Sequence, residues 1–191
     1  MFVNKNNQKG RSLVEVLAVL TIIAMLGASV IKVIGSIYAM LKENMATTEI
    51  KEIQKTISGV YNFSGNYDVL FQDDAYKVLC ETDKSLPSQM CLKSGTSYRL
   101  RHRLSGNITI NKNTDGSGYV VSFGELNKKN CVAFTQIDWL SRKKTHIYQL
   151  DINGAEVAYF PKKNDKGFPI STSTAFSSCN SNSNTISWYF Y

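Results

Sequence analysis

The chain changes its hydrophobic pattern along its length. Residues 16–31 form an uninterrupted run of apolar and small side chains, which predicts a helix that is apolar on every side. From residue 32 to residue 61, apolar residues recur at steps of mostly three and four with charged residues between them, which predicts an amphipathic continuation. We therefore expect one helix from about Ser12 to Gly59, ended by residues 62–66. Its second half needs a globular partner to cover the apolar stripe.

Beyond this helix, the pattern favours strands. Three segments alternate apolar and polar side chains and predict an antiparallel meander: Ser97–Leu104, Asn107–Lys112 and Tyr119–Gly124. After a predicted turn at residues 151–154, Ala155–Phe160 is expected to be a strand, and the β-prone segment Thr185–Tyr191 a terminal strand inside a sheet.

The segments between the predicted strands are more varied. We expect a short helix near Val69–Leu79 in a loop-rich region, and another within Lys128–Leu140 that starts near Asn130 as its cap. The segment Ser171–Asn184 is rich in Ser, Thr and Asn and holds Cys179, so we expect a disulfide to pin a segment that would otherwise be mobile and irregular.

One carboxylate, Glu15, lies just inside the apolar edge. An ionised side chain in hydrocarbon costs roughly 2.5–3.5 kcal/mol on insertion scales, so it requires a partner. Cleavage between Gly10 and Arg11 would create an α-ammonium close to Glu15, and neighbouring helices could then pair ammonium with carboxylate. Ordinary signal-peptidase cleavage within residues 24–29 and a plain single-pass anchor are the alternatives.

The segment Gly10-Arg11-Ser12-Leu13-Val14-Glu15-Val16-Leu17 resembles the class III signal of type IV pilins and type II secretion pseudopilins. The resemblance implies that a membrane peptidase cleaves after Gly10 and that Arg11 becomes the N-methylated mature terminus. It also implies that Glu15 is the acid that sets the register between subunits. Two residues depart from the family pattern: Arg11 replaces the usual phenylalanine or methionine, and Lys32 stands where many members have a helix-kinking proline.

All four cysteines, Cys80, Cys91, Cys131 and Cys179, lie beyond the apolar run. An even number in a translocated domain predicts two disulfides, for which three connectivities are open. We favour Cys80 with Cys91, and Cys131 with Cys179, which would tie the C-terminal segment to the middle of the domain. Zinc is the rival reading, but no CxxC pair occurs and the two histidines lack ligand spacing, so we expect no metal site.

The order of predicted elements indicates an α+β protein, in which a long N-terminal helix packs on an antiparallel sheet domain with a disulfide-tied C-terminal region. This order resembles the type IVb branch of the pilins, which includes toxin-coregulated, bundle-forming and thin conjugative pilus subunits. Local support comes from four places: Ser58-Gly59-Val60-Tyr61, Cys131, Cys179-Asn180 and Asn184-Thr185-Ile186.

The resemblance also implies a division of the chain. The chain would consist of a leader at 1–10, a transmembrane and assembly helix at 11–35, the amphipathic second half of that helix at 36–61 and a globular head, periplasmic and then extracellular, at 62–191.

The formal net charge of +7 is a modest basic excess, and no basic run is longer than Arg142-Lys143-Lys144. Nucleic-acid binding therefore has no specific support. Three arginines, Arg99, Arg101 and Arg103, share one face of a predicted strand. We interpret them as a solvated face or as a contact with acidic residues of a neighbouring subunit.

The sequence contains no GxSxG, HExxH, P-loop or dinucleotide fingerprint, so we expect neither an enzyme nor a cofactor. The resemblance implies a single-pass inner-membrane prepilin, processed by prepilin peptidase and polymerised by the assembly machinery, with minor pilins, into an extracellular filament. Such a filament would serve adhesion, aggregation or conjugation and DNA transfer at a host or recipient cell surface. A secretion pseudopilin, a minor pilin and a membrane-tethered enzyme remain alternatives.

Overall fold

A computed structural model of the chain describes residues 13–61, 67, 75–81, 86–113, 118–139, 146–161 and 166–191. Within the first helix it describes the side chains of residues 14–24, 44, 45 and 47–59. The chain forms two compact units, Met1–Leu41 and Lys42–Tyr191. The predicted leader, with Gly10 and Arg11, lies outside the described residues.

Helix α1 (Leu13–Tyr61) is continuous, which confirms the predicted long helix with an end two residues later than expected. In its second half, Ile50, Ile53 and Ile57 are fully buried at the predicted three- and four-residue spacing. Burying each of these side chains contributes about 1.5–3 kcal/mol. Among the described residues, no helix has an apolar stretch long enough to cross a membrane. The predicted anchor at 11–35 extends outside the described side chains.

The described strands form one antiparallel seven-stranded sheet in the order β1-β2-β3-β4-β7-β5-β6. The strands are β1 (Cys91–Ser94), β2 (Ser97–Arg101), β3 (Asn107–Lys112), β4 (Tyr119–Leu126), β5 (Ile147–Ile152), β6 (Ala155–Tyr159) and β7 (Asn184–Phe190). The predicted meander is confirmed as β2-β3-β4, and the predicted α+β class is also correct.

Strand β7 lies between β4 and β5, so the aromatic C-terminal segment is inside the sheet as expected. Its inward residues Ile186, Trp188 and Phe190 are fully buried. The Trp188 ring packs edge-on against Phe123 and Trp139, at centroid distances of 5.2 and 5.3 Å. An alternating strand with aromatic inner positions therefore forms the centre of the core.

One sequence prediction next to β6 was wrong. Asp151 and Ile152 were assigned to a turn, but they belong to β5, which the sequence analysis missed. The turn consists of Asn153 and Gly154, both at positive φ (53° and 80°). Asn and Gly tolerate this backbone region, which a two-residue hairpin turn requires.

Three short helices complete the described fold: α2 (Ala75–Glu81), α3 (Lys128–Thr135) and α4 (Thr172–Ser178). The cap of α3 is Asn127, not Asn130, because the Asn127 side chain accepts a hydrogen bond from the Asn130 N–H. Helix α4 lies in the segment that was expected to be irregular. Ser171 caps it by accepting a hydrogen bond from the Thr174 N–H, and so satisfies a free donor of its first turn.

Two disulfides, Cys80–Cys91 and Cys131–Cys179, account for all four cysteines and match the favoured connectivity. Cys131 lies in α3, and Cys179 is the C-cap of α4. The second bond therefore joins these two helices, both of which are too short to be stable without tertiary contacts.

We predict that Cys131→Ala with Cys179→Ala lowers the free energy of unfolding more than Cys80→Ala with Cys91→Ala. The bonds span sequence separations of 48 and 11 residues, so the chain-entropy model gives about 4 and about 3 kcal/mol. Urea unfolding of the detergent-solubilised full chain, followed by tryptophan fluorescence, measures both, because Trp139 and Trp188 are fully buried. An equal or larger loss in the Cys80 and Cys91 variant would contradict this ranking.

Candidate functional site

The first part of α1 carries an unusual apolar surface. Every side chain from residue 14 to residue 24 is exposed, including seven large apolar ones: Val14, Val16, Leu17, Val19, Leu20, Ile22 and Ile23. Their exposed fractions range from 44% to 72%. Because successive helical positions are about 100° apart, these side chains surround the helix. We call residues 14–23 the N-terminal apolar surface; a lipid phase or other apolar helices would have to cover it.

Glu15 is exposed in the first turn of α1, at the edge of the N-terminal apolar surface. A carboxylate is stabilised there by the positive end of the helix dipole. Once the neighbouring apolar side chains are covered, however, water can no longer solvate it, and it needs a cationic partner. Its predicted partner, the amine of Arg11, lies outside the described residues.

A second carboxylate on α1, Glu49, was not singled out by the sequence analysis. Glu49 is 1% exposed, and its two carboxylate oxygens accept hydrogen bonds from the Arg103 main-chain N–H at 3.2 and 3.1 Å. The Arg103 guanidinium Nε lies 3.3 Å from Glu49 Oε1. Arg103 follows β2 in the turn to β3, so this ion pair links α1 to the sheet. Burial raises the pKa of Glu49 to about 7, although Arg103 opposes the shift.

The other contacts of Arg103 correct the prediction of three arginines on one strand face. Strand β2 ends at Arg101. Beyond it, the Arg103 guanidinium donates to Gln89 Oε1 at 2.8 Å and to Met45 Sδ at 3.3 Å. Arg103 is therefore turned towards α1. The signal in the sequence is Glu49 itself, a carboxylate on the apolar stripe of an amphipathic helix.

His102 fixes the turn next to Arg103. Its ring is buried, stacks on Phe123 at 4.8 Å, and its Nε2 lies 2.9 Å from the Gly124 carbonyl oxygen. Burial lowers the pKa of His102, so the neutral ring donates this hydrogen bond. A Cβ at Gly106 would overlap the Gly124 carbonyl and the His102 ring, so only glycine fits there. His102 thus has a packing role.

No group of three or more His, Cys, Asp or Glu side chains in the described part of the chain is placed to hold a metal ion. The disulfide cysteines Cys80, Cys91, Cys131 and Cys179 are structural.

Comparison with known proteins found a matching family and similar solved structures. The model of a family described as PilS N terminal matches residues 41–190. The fold is similar to the crystal structure of TcpA, a type IV pilin from Vibrio cholerae El Tor biotype, with a TM-score of 0.53 and 11% sequence identity. The similarity covers 79% of this chain and 99% of the TcpA chain. A search of curated proteins found no match.

We predict that Glu49→Gln changes the pH dependence of stability. The folded pKa of about 7 lies above the ordinary value of 4.5, so the native state binds the proton more tightly. Glu49 therefore makes the wild type less stable as pH rises from about 4.5 to 7. The glutamine variant should gain on the order of 2 kcal/mol relative to wild type between pH 4.5 and pH 8.

Urea unfolding at a series of pH values measures this difference. His102 is present in both proteins, so its own titration cancels in the comparison. Glu156→Gln, at an exposed carboxylate of β6, is the matched control for the loss of one carboxylate. A stability difference that is constant across the pH range would contradict the prediction.

Proposed function

Because the chain belongs to the family described as PilS N terminal and has the fold of a type IV pilin, we propose that it is a structural subunit of a type IV pilus. The observation that carries this proposal is the N-terminal apolar surface, in which seven large side chains on a folded protein are left open to solvent. Packing such helices against one another in the centre of a filament removes them from water. No enzymatic step is needed for this role.

Before assembly, the same surface is proposed to lie in the inner membrane. Residues 11–35 would form the single-pass anchor, 36–61 the amphipathic half of the helix and 62–191 the head. The long continuous helix α1 and the burial of Ile50, Ile53 and Ile57 support this division. Extraction from lipid into the filament exchanges one apolar environment for another, so it costs little hydrophobic free energy.

Processing would supply the partner of Glu15. We propose that prepilin peptidase removes residues 1–10, that Arg11 is N-methylated, and that its α-ammonium pairs with Glu15 of an adjacent subunit. In apolar surroundings, an unpaired carboxylate is strongly disfavoured, so the pair would select one axial register. The contact joins different surfaces of two copies and does not close, so it generates a filament.

We assign the subunit to the type IVb branch, supported by the disulfide that ties α4 to α3 ahead of the terminal strand. Minor pilins and the inner-membrane assembly machinery would be its partners in assembly. The finished filament would act in adhesion, aggregation or conjugation at a host or recipient cell surface.

The direct test is immunogold electron microscopy of cells that carry the gene and its assembly machinery. Surface filaments labelled along their length support the proposal. A deletion strain that keeps its surface fibres but no longer secretes proteins would instead identify a secretion pseudopilin.

We predict that the mature protein begins at Arg11. Intact mass spectrometry of filament or membrane fractions should show loss of residues 1–10, with or without one added methyl group. Gly10→Ala should leave the full-length chain uncleaved, because the peptidase is expected to read that glycine, whereas Lys9→Ala is the control and should still be processed. A mature chain that begins at Met1 or within residues 24–30 would contradict the processing proposal.

We predict that Glu15→Gln reduces filament yield by tenfold or more, while the protein still inserts into the membrane and forms both disulfides. The glutamine keeps the size of the side chain but removes the charge that the α-ammonium needs; a buried ion pair left with one partner loses about 3–5 kcal/mol. Glu52→Gln is the matched control on the same helix. Sheared filament yield, measured against the membrane pool, checks the result. Normal yield from Glu15→Gln would exclude the register role.

A further inference from the structure

The outer face of the sheet changes charge from one edge to the other. Alternation with buried Leu100 and His102 places Arg99 and Arg101 of β2 on this face. From β3 onwards, a row of directly paired polar residues crosses the sheet: Thr109, Ser122, Ser187, Asp151 and Glu156. The face therefore has arginines near β2, hydroxyls in the middle and carboxylates at β5 and β6. Ser122 and Asp151 are buried, so Glu156 is the exposed carboxylate of this row.

The basic edge consists of two exposed arginines beside an apolar side chain. Arg99 pairs in register with Leu92, which is 43% exposed. Arg101 Nε donates a hydrogen bond to the Ser105 carbonyl oxygen at 3.1 Å, which fixes the Nε end of the guanidinium group. Arg103 does not contribute to this edge, because it is bound to Glu49. We call Leu92, Arg99 and Arg101 the basic edge.

The acidic edge combines carboxylates with tyrosine rings. Asp151 accepts hydrogen bonds at 2.8 Å from the Tyr189 hydroxyl and from Gln149 Nε2. Glu156, which pairs with Asp151 in the sheet, is exposed on β6. Lys166 Nζ donates a hydrogen bond to the Glu156 main-chain carbonyl oxygen at 2.8 Å.

Four residues beyond Ser187, which pairs with Asp151, the ring of Tyr191 is 60% exposed and stacks on Tyr148 at 4.2 Å. Burial and the hydrogen bond to Asp151 raise the pKa of Tyr189, so its hydroxyl stays protonated and keeps donating. Carboxylates next to aromatic rings suit a guanidinium, which forms charge-assisted hydrogen bonds and stacks on ring faces. We call Asp151, Glu156, Tyr189 and Tyr191 the acidic edge.

We propose that the basic edge of one subunit binds the acidic edge of the next, so that Arg99 and Arg101 meet Glu156 and the tyrosine rings beside Asp151. The partner is a second copy of this chain, because one molecule carries both complementary surfaces. β2 and β6 are separated by five strand steps, about 24 Å at the usual spacing. Two different surfaces this far apart make a heterologous contact, which extends rather than closes. This inference rests on the proposed pilus function and adds a contact between heads to the contact between helices.

Charge reversal in the full chain, expressed with its assembly machinery, tests the proposal. Arg99→Glu with Arg101→Glu should lower sheared filament yield about tenfold, and Glu156→Lys several-fold, because like charges then face each other. Combining all three substitutions should restore yield to within about threefold of wild type, since the two reversed edges attract again. Lys128→Glu with Lys129→Glu makes the same charge change at exposed residues of α3 and should stay near wild type.

Every variant is first checked for both disulfides and for wild-type tryptophan fluorescence, and Arg99→Gln with Arg101→Gln replaces the charge reversal if that variant fails to fold. The proposal is overturned if the arginine variant loses no more yield than the lysine control, or if the triple variant is not rescued. Absence of filaments in the wild type would instead overturn the pilus function.

Photo-crosslinking locates the contact. With p-benzoylphenylalanine in place of Arg99, the adduct in filaments should join residues 155–159 or 189–191 of another copy. An adduct to lipid or nucleic acid instead, or to a different part of the chain, would overturn the proposed partner.

Discussion

The apolar side chains of α1 have to be removed from water. The second half of the helix and its first part meet this constraint in different ways. Ile50, Ile53 and Ile57 are covered by the chain's own sheet. Between residues 14 and 23, the described side chains are exposed, and a lipid phase or another apolar helix would cover them. Folding therefore buries the apolar side chains in the second half of α1, and association would bury those in its first part.

Two carboxylates of this helix, Glu49 and Glu15, lie in different surroundings. Glu49 is desolvated and bound by the Arg103 backbone and side chain, so it specifies where the turn after β2 meets α1. Glu15 is exposed in a region that association would desolvate. A buried ion pair adds little net stability, but it strongly penalises wrong alignments. Glu49 thus acts on specificity more than on stability, and we propose the same role for Glu15.

The sequence predicted the features that follow from strong periodicity. Helix α1, strand β3 with both of its ends, the central β7 and both disulfides were anticipated. Strand β5 was missed because bulges shift its register against both neighbours and break the alternation of apolar and polar residues. Helix α4 was missed because Ser and Thr have weak helix propensity; the Ser171 cap and the disulfide at Cys179 hold it. The partner of Glu49 depends on tertiary placement, which no local pattern reveals.

The position of β7 has a consequence for biogenesis. Strand β7, the last described strand along the chain, lies in the middle of the sheet. Strands β1–β4 and strands β5–β6 are therefore not joined to each other until β7 has paired with both. The core cannot be completed before residues 184–190 have been synthesised. Products truncated before β7 would leave the facing edges of β4 and β5 unpaired and would expose the faces that Trp188 and Phe190 normally cover. The strand order therefore makes synthesis through β7 a condition for closing the sheet.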